Sequence, residues 1–194
     1  AASFVIGFLF TIKLPNPVQE KELTPGTTKT VILKNKFLFL SLLLRHIGAA
    51  AVWTILPIMI VEKLGGELYH ISIVYVANTM TAFILMNVMA SKIHLSNVTK
   101  FKIGIGFTTF VFVGLSIVTE WWMAMPFMAL VGATWAFLFI GGNFHLMENN
   151  PKSTSTGIFS STLSIATVIG PIIAGSVAFL FDYVAVMYFA IAII

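Results

Sequence analysis

Residues 153–181 read STSTGIFSSTLSIATVIGPIIAGSVAFLF, 29 successive positions without Asp, Glu, Lys, Arg or His. A helix rises about 1.5 Å per residue, so roughly 20 residues cross a hydrocarbon layer of about 30 Å and this stretch is long enough to span a bilayer. Lipid offers backbone groups no hydrogen-bond partner, which leaves helices and closed barrels as the spanning structures. A barrel strand has about 10 residues and alternates its sides. This run is far longer and does not alternate, so it reads as a membrane-crossing helix.

Four further stretches read the same way. Residues 37–61 carry one Arg as their only charged side chain, and 71–91, 103–119 and 121–147 carry no Lys, Arg, Asp or Glu at all. The chain begins inside an apolar run, 1–12, and stops inside another, 183–194. The expected fold is an all-α membrane protein, a polytopic helical bundle with five complete and two truncated transmembrane helices. Both truncated helices lack the polar flank that would finish them, so the sequence is expected to be a fragment of a longer chain. The first run has no basic segment before it and does not read as a signal peptide.

Composition agrees. Of 194 residues, 58% are hydrophobic and 9% charged, and mean hydropathy is +0.99. A soluble domain carries roughly 25% charged residues, and this chain has too few to cover a water-facing surface. With no Cys, disulfides, thiolate nucleophiles and Cys-bound metals are excluded.

The formal charge of +4 is explained by where the charges sit. If every run crosses, segments 13–36, 92–102 and 148–152 share one side. That side holds Lys13, Lys21, Lys29, Lys34, Lys36, Lys92, Lys100, Lys102 and Lys152, nine of the eleven basic residues. Segments 62–70, 120 and 182 share the other side, with Lys63 alone, and the eleventh is Arg45 inside a span. This asymmetry is the positive-inside pattern and sets the linker 13–36 in the cytoplasm of a multi-pass cell-membrane protein. It is not the basic patch of a nucleic-acid binder, so no nucleic-acid partner is expected. Trp121 and Trp122, after Glu120, sit where an aromatic belt meets the opposite interface. The linker, with Pro15, Pro17, Pro25 and Gly26, is long for a compact bundle and reads as a boundary between two bundles. Residues 1–12 would end an N-terminal half, and 37–194 would be a C-terminal bundle.

Three local patterns carry a resemblance. Residues 51–66 read AVWTILPIMIVEKLGG, with Pro57 near the end of the apolar run. Residues 87–92 read Asn87-Val88-Met89-Ala90-Ser91-Lys92. Residues 157–183 hold Gly157, Ser160, Ser161, Ser164, Thr167, Gly170-Pro171 and Gly175, then Ala178 and the turn Phe181-Asp182-Tyr183. With the topology and the basic linker, these resemble the C-terminal half of a major facilitator superfamily transporter, from the end of helix six to the start of helix twelve. The first resembles the family's seventh helix and the third its eleventh. The second stands where the family has Gly-x-Leu-Ala-Asp-Arg. Asn87 replaces the Gly, Ser91 the Asp and Lys92 the Arg, so this degenerate loop motif lacks its acidic member. Run 103–118, with only Gly, Thr and Ser among apolar residues, fits the family's lipid-facing ninth helix. Positions 157, 160, 164, 167, 171, 174 and 178 recur every three or four residues and form one small-residue face for close helix packing, with a bend permitted at Pro171. Gly157, Gly170, Gly175, Pro57 and Pro171 are therefore the packing and gating candidates.

Polar side chains in hydrocarbon nominate the site, because an Arg at a helix centre costs about 2.5–3.5 kcal/mol on insertion scales and tends to face a cavity or a partner. Arg45 either lines a cavity and attracts an anion, pairs with an acidic group elsewhere, or snorkels to the headgroups. His46 follows it about 100° around the helix, so the two point differently. An imidazole titrates near neutral pH and can couple protons to transport, or it simply bonds between helices. Asn78, near mid-depth, is a cavity candidate or an interhelical hydrogen bond. Trp53 and Trp135 stack on a substrate or only pack. Asn143 and His145 approach the inner end as contacts or interfacial residues. No hydrolase, phosphate-loop or zinc-protease motif occurs, no metal cluster and no cofactor is expected, and the chain is not expected to be an enzyme. The expected function is alternating-access secondary transport of a small molecule, proton-coupled or as a drug or organic-solute permease. Its expected partners are membrane lipid, the substrate, a coupling proton or ion, and the N-terminal half. The rival readings are a membrane enzyme built on Asn143, His145 and Glu148, or a non-transporting sensor or scaffold.

Overall fold

The computed structural model describes residues 28–91 and 93–194. All regular structure among them is helical: α1 (Thr28–Lys34), α2 (Lys36–Glu62), α3 (Leu68–Ser91), α4 (Asn97–Ser116), a 3-10 turn (Trp121–Met123), α5 (Ala124–Asn149), α6 (Lys152–Leu180) and α7 (Tyr183–Ile193). Five of these, α2 to α6, are long and apolar enough to cross a membrane.

The helices extend past the uncharged runs because their first turns tolerate polar residues at an interface. Thus α4 begins at Asn97, where the Ser96 hydroxyl accepts from the Thr99 amide at 3.2 Å, the usual service of a serine N-cap. The expected span 121–147 is a 3-10 turn followed by α5. The end of the expected linker 13–36 is helical as well: α1 buries Val31 against Phe39, Leu42 and Phe159, and the Asn35 side-chain amide donates to the Val31 carbonyl at 2.9 Å. Residues 1–27 and Lys92 lie outside the described residues.

The helices pack as two groups of three. In one, α5 lies between α3 and α4; in the other, α2 packs on α6 and α7. Contacts of α4 with α7 and of α5 with α6 join the groups, while α2 touches α3 and α4 only sparsely. Glycines on or against α5 allow backbone-to-backbone approach. A Cβ on Gly104 would lie 2.5 Å from the Leu138 nitrogen, one on Gly141 2.5 Å from the Phe101 nitrogen, and one on Gly132 would collide with the Asn78 carbonyl. Across α2 and α6, a Cβ on Gly170 would meet the Ala50 side chain at 2.6 Å.

The loops gather at two opposite ends. At the lysine-rich end the Lys34 ammonium donates to the Asn149 carbonyl at 3.3 Å, and the Asn97 amide donates to Glu148. At the other end Lys63 pairs with Asp182 at 3.4 Å, the Tyr183 hydroxyl donates to Glu62, and the Trp121 amide donates to the Leu64 carbonyl at 3.0 Å. Gly65 turns the chain there with φ 64, the left-handed region that glycine enters without strain, and the Gly66 amide returns to the Ile60 carbonyl at 2.9 Å.

Each end has its own apolar core. Phe39, Leu42, Phe101, Leu138 and Leu146 belong to the lysine-rich end, and Ala49, Val52, Val111, Phe112 and Val131 to the other. Between them, on α2, α4 and α5, lie positions 45–46, 108 and 135. A layer of polar and aromatic side chains separates the two cores.

Candidate functional site

That layer is built around Arg45. Its side chain has no solvent exposure. Its Nε donates to the Thr108 hydroxyl at 3.1 Å, and that hydroxyl in turn donates to the Gly104 carbonyl at 2.7 Å. The guanidinium carbon lies 5.7 Å from the ring centre of Trp135, a cation–π distance. One edge of the fork is thereby fixed. On the other edge, Nη1 and Nη2 are buried with no hydrogen-bond partner among the described residues.

The charge has no acidic counterpart among the described residues. Of the described acids, Glu62 accepts from Tyr183, Asp182 pairs with Lys63, Glu148 accepts from Asn97, and Glu67 and Glu120 lie in the loops of the opposite end. The Lys63–Asp182 pair is the one ion pair among the described residues.

His46 stacks on Trp135 with ring centres 5.4 Å apart and meets Trp53 edge-on at 5.7 Å. The expectation that Arg45 and His46 point in different directions needs amending. Their Cα–Cβ bonds do diverge, but the long Arg stem and the wide indole bring both onto Trp135. The rings continue through Phe139 to Phe159. His46 Nδ1 and Trp53 Nε1 are also buried without partners among the described residues. The backbones of α2 and α5 barely approach, and these side chains fill the interval.

The other sequence candidates fall in different places. Asn78 is partly exposed on α3, and its carbonyl lies against Gly132. Asn143 is buried, its Oδ1 unpartnered among the described residues, but it stands eight residues beyond Trp135, about 12 Å along the helix toward the lysine-rich end. His145 is half-buried nearby, and Glu148 is engaged by Asn97. Asn87 is exposed and donates to the Phe83 carbonyl of its own helix at 2.7 Å. Ser91 ends α3, and its side chain is outside the description, as is Lys92.

Pro57 interrupts α2 near the end opposite the lysines, where the Tyr75 hydroxyl donates to the Trp53 carbonyl at 2.9 Å. On α6 the buried stripe is Ser155, Phe159, Ala166, Gly170 and Ala174. It shares only position 174 with the expected small-residue face. Gly170 packs on α2 and Pro171 is half-buried, while Gly157 and Gly175 face open space. Gly157 lines a recess of about 460 Å³ between α1 and α6, with Thr28, Ile32 and Ser161.

Thr108 is the site residue that sequence reasoning missed. Helix α4 exposes Phe107 and Phe110, while its opposite face buries Thr108, Phe112 and Leu115. The only signal was a hydroxyl at the same depth as Arg45. No group of His, Cys, Asp and Glu suited to a metal ion occurs among the described residues. No family model, no curated protein and no solved structure matches the chain.

Proposed function

We propose that this chain is part of a secondary transporter, which carries a small solute across the membrane by alternating access. The observation that carries the reading is the polar layer. A buried guanidinium with two unpartnered nitrogens lies between two apolar cores, at the boundary between two three-helix groups. Ionisable groups at membrane depth are costly and are retained where they serve a pathway. Transporter sites lie near mid-depth between structural units that shift against each other. The layer around Arg45, His46, Trp135 and Thr108, between two apolar cores and two helix groups, supports that reading.

The lysine-rich end is cytoplasmic in this reading, by the positive-inside rule. Helices α3 and α6 are the most exposed spans and offer the faces against which a second bundle, resembling the first half of a major facilitator superfamily protein, would rock. His46, against both tryptophans, is the candidate for proton coupling.

The test is flux through the full-length protein in liposomes, with labelled organic anions, sugars and cationic drugs, with and without a proton gradient. Saturable uptake of at least one class is expected, falling at least tenfold in Arg45→Ala. Uptake equal to that of empty liposomes for every class would reject the reading.

A further inference from the structure

We infer that the free edge of Arg45 binds the carboxylate of a small monoanionic solute with an apolar or aromatic body. This deepens the transport reading and rests on it for how the solute reaches the layer.

The recognition chemistry follows from the orientation of the fork. Thr108 holds Nε and the Trp135 ring lies within cation–π distance of the guanidinium, so the side chain is held with its Nη1–Nη2 edge unpartnered among the described residues. Two parallel N–H donors on a planar group match the two oxygens of a carboxylate, the strongest pairing available to Arg. A buried donor without an acceptor pays its full desolvation cost, and a buried charge without a counter-charge pays more. The described residues supply neither, so an incoming anion supplies both.

Valence and body follow from the surroundings. Arg45 is the only Lys or Arg of the described residues in the layer, and a dianion would leave a second charge uncompensated in a low-dielectric interior. Trp135 lies beside the guanidinium, His46 and Phe139 pack on it and Trp53 meets His46 edge-on, a set of rings that suits an apolar or aromatic body. Trp53 Nε1 is a further unpartnered donor beside His46. The layer is sealed in this conformation, since Arg45 has no exposure. Entry follows the boundary along which α2 touches α3 and α4 only sparsely.

The probe is benzoate, titrated into the full-length protein in lipid nanodiscs at constant ionic strength, with Trp fluorescence and calorimetry as readouts. Acetate, inorganic phosphate and the neutral isostere benzamide are the comparisons. The expected result is saturable benzoate binding that benzamide does not compete, with phosphate weaker than benzoate. Affinity should fall at least tenfold in Arg45→Gln and severalfold in Thr108→Val, which keeps the charge but frees the fork. If Arg45→Gln does not fold, Thr108→Val and the benzoate-induced rise in wild-type Tm decide alone. Equal affinity for benzoate and benzamide, or binding unchanged in Thr108→Val, overturns the inference. So does a signal seen only in phosphatidylglycerol discs, which would make the ligand a lipid headgroup. Benzoate binding without flux of any solute rejects transport and leaves the site standing. Flux of a neutral solute with no benzoate binding does the reverse.

Discussion

The Tyr75 hydroxyl donates to the Trp53 carbonyl oxygen at 2.9 Å, and that carbonyl is the one Pro57 leaves without its helical partner. In an uninterrupted helix the amide of residue 57 would donate to the carbonyl of residue 53, and proline has no such hydrogen. Helix α3 therefore completes a bond that α2 lacks. Tyr75→Phe is expected to destabilise the protein by about 1–2 kcal/mol, the cost of a buried acceptor left open. In a Pro57→Ala background the helix can satisfy itself, so the same change should cost much less. Equal losses in both backgrounds, measured by thermal unfolding in detergent, would sink this account.

Glycine positions that look alike in sequence should respond differently. Gly132→Ala and Gly104→Ala drive a methyl group into backbone of the neighbouring helix, with an expected loss of about 1–3 kcal/mol each. Gly157→Ala and Gly175→Ala enter open space and should be neutral or slightly stabilising, since alanine is the better helix former. Melting temperatures of the four variants check the order.

Arg45 should show a conflict between stability and function. A buried charge without a counterpart is costly, and replacing such groups by apolar ones of similar volume is often neutral or stabilising by about 1–4 kcal/mol. Arg45→Met is expected to keep or raise Tm while abolishing solute flux, and Thr108 retains its bond to the Gly104 carbonyl. A clear fall in Tm would mean that an acidic group elsewhere in the full-length protein pairs with Arg45.

The uncharged runs mark the five long helices because the bilayer imposes one length on all of them. Arg45 is the single charged side chain within those apolar runs. Which face of each helix turns inward was hidden, because these helices are apolar nearly all round and hydrophobicity does not select a side. The stripe on α6 shows the consequence. Small residues at 157, 160, 164 and 167 suggested the packing face, yet Phe159 and Ala166 are the buried ones, set by where α2 lies. Thr108 was invisible for the same reason, since only the partner's position distinguishes it from Thr109.

The end opposite the lysines should loosen in acid. Asp182 caps α7 by accepting from the Ala185 amide at 2.7 Å. That bond, with help from Lys63, holds its carboxyl below the usual range. The folded value lies below the unfolded one, about 3.9. The stabilisation is therefore complete above that value and fades as pH falls through the lowered folded one. Hydrogen exchange at the Ala185 amide should accelerate below about pH 4 relative to the intrinsic rate, and Asp182→Ala should show the faster exchange at pH 7. An unchanged protection factor in that variant would count against the cap.

At the same end the ring of His70 accepts from the Glu67 amide at 2.8 Å and stacks on Trp121 with ring centres 3.9 Å apart. This does for α3 what a reciprocal glutamate does at a helix start. His70→Ala is expected to cost about 1 kcal/mol and His70→Gln appreciably less. Equal losses would place the contribution in the stacking on Trp121.

The chain passes between its two three-helix groups twice, by residues 63–67 at one end of the bundle and by the two residues Asn150 and Pro151 at the other. Covalent stitches at opposite ends forbid the groups from gaping like a clam at either one. They slide or twist over each other only within the slack of the two stitches, and the two-residue one, Asn150 and Pro151, sets the travel. A change that lengthens the stitch at Asn150 and Pro151, far from the guanidinium, would then govern how often the middle of the bundle is uncovered.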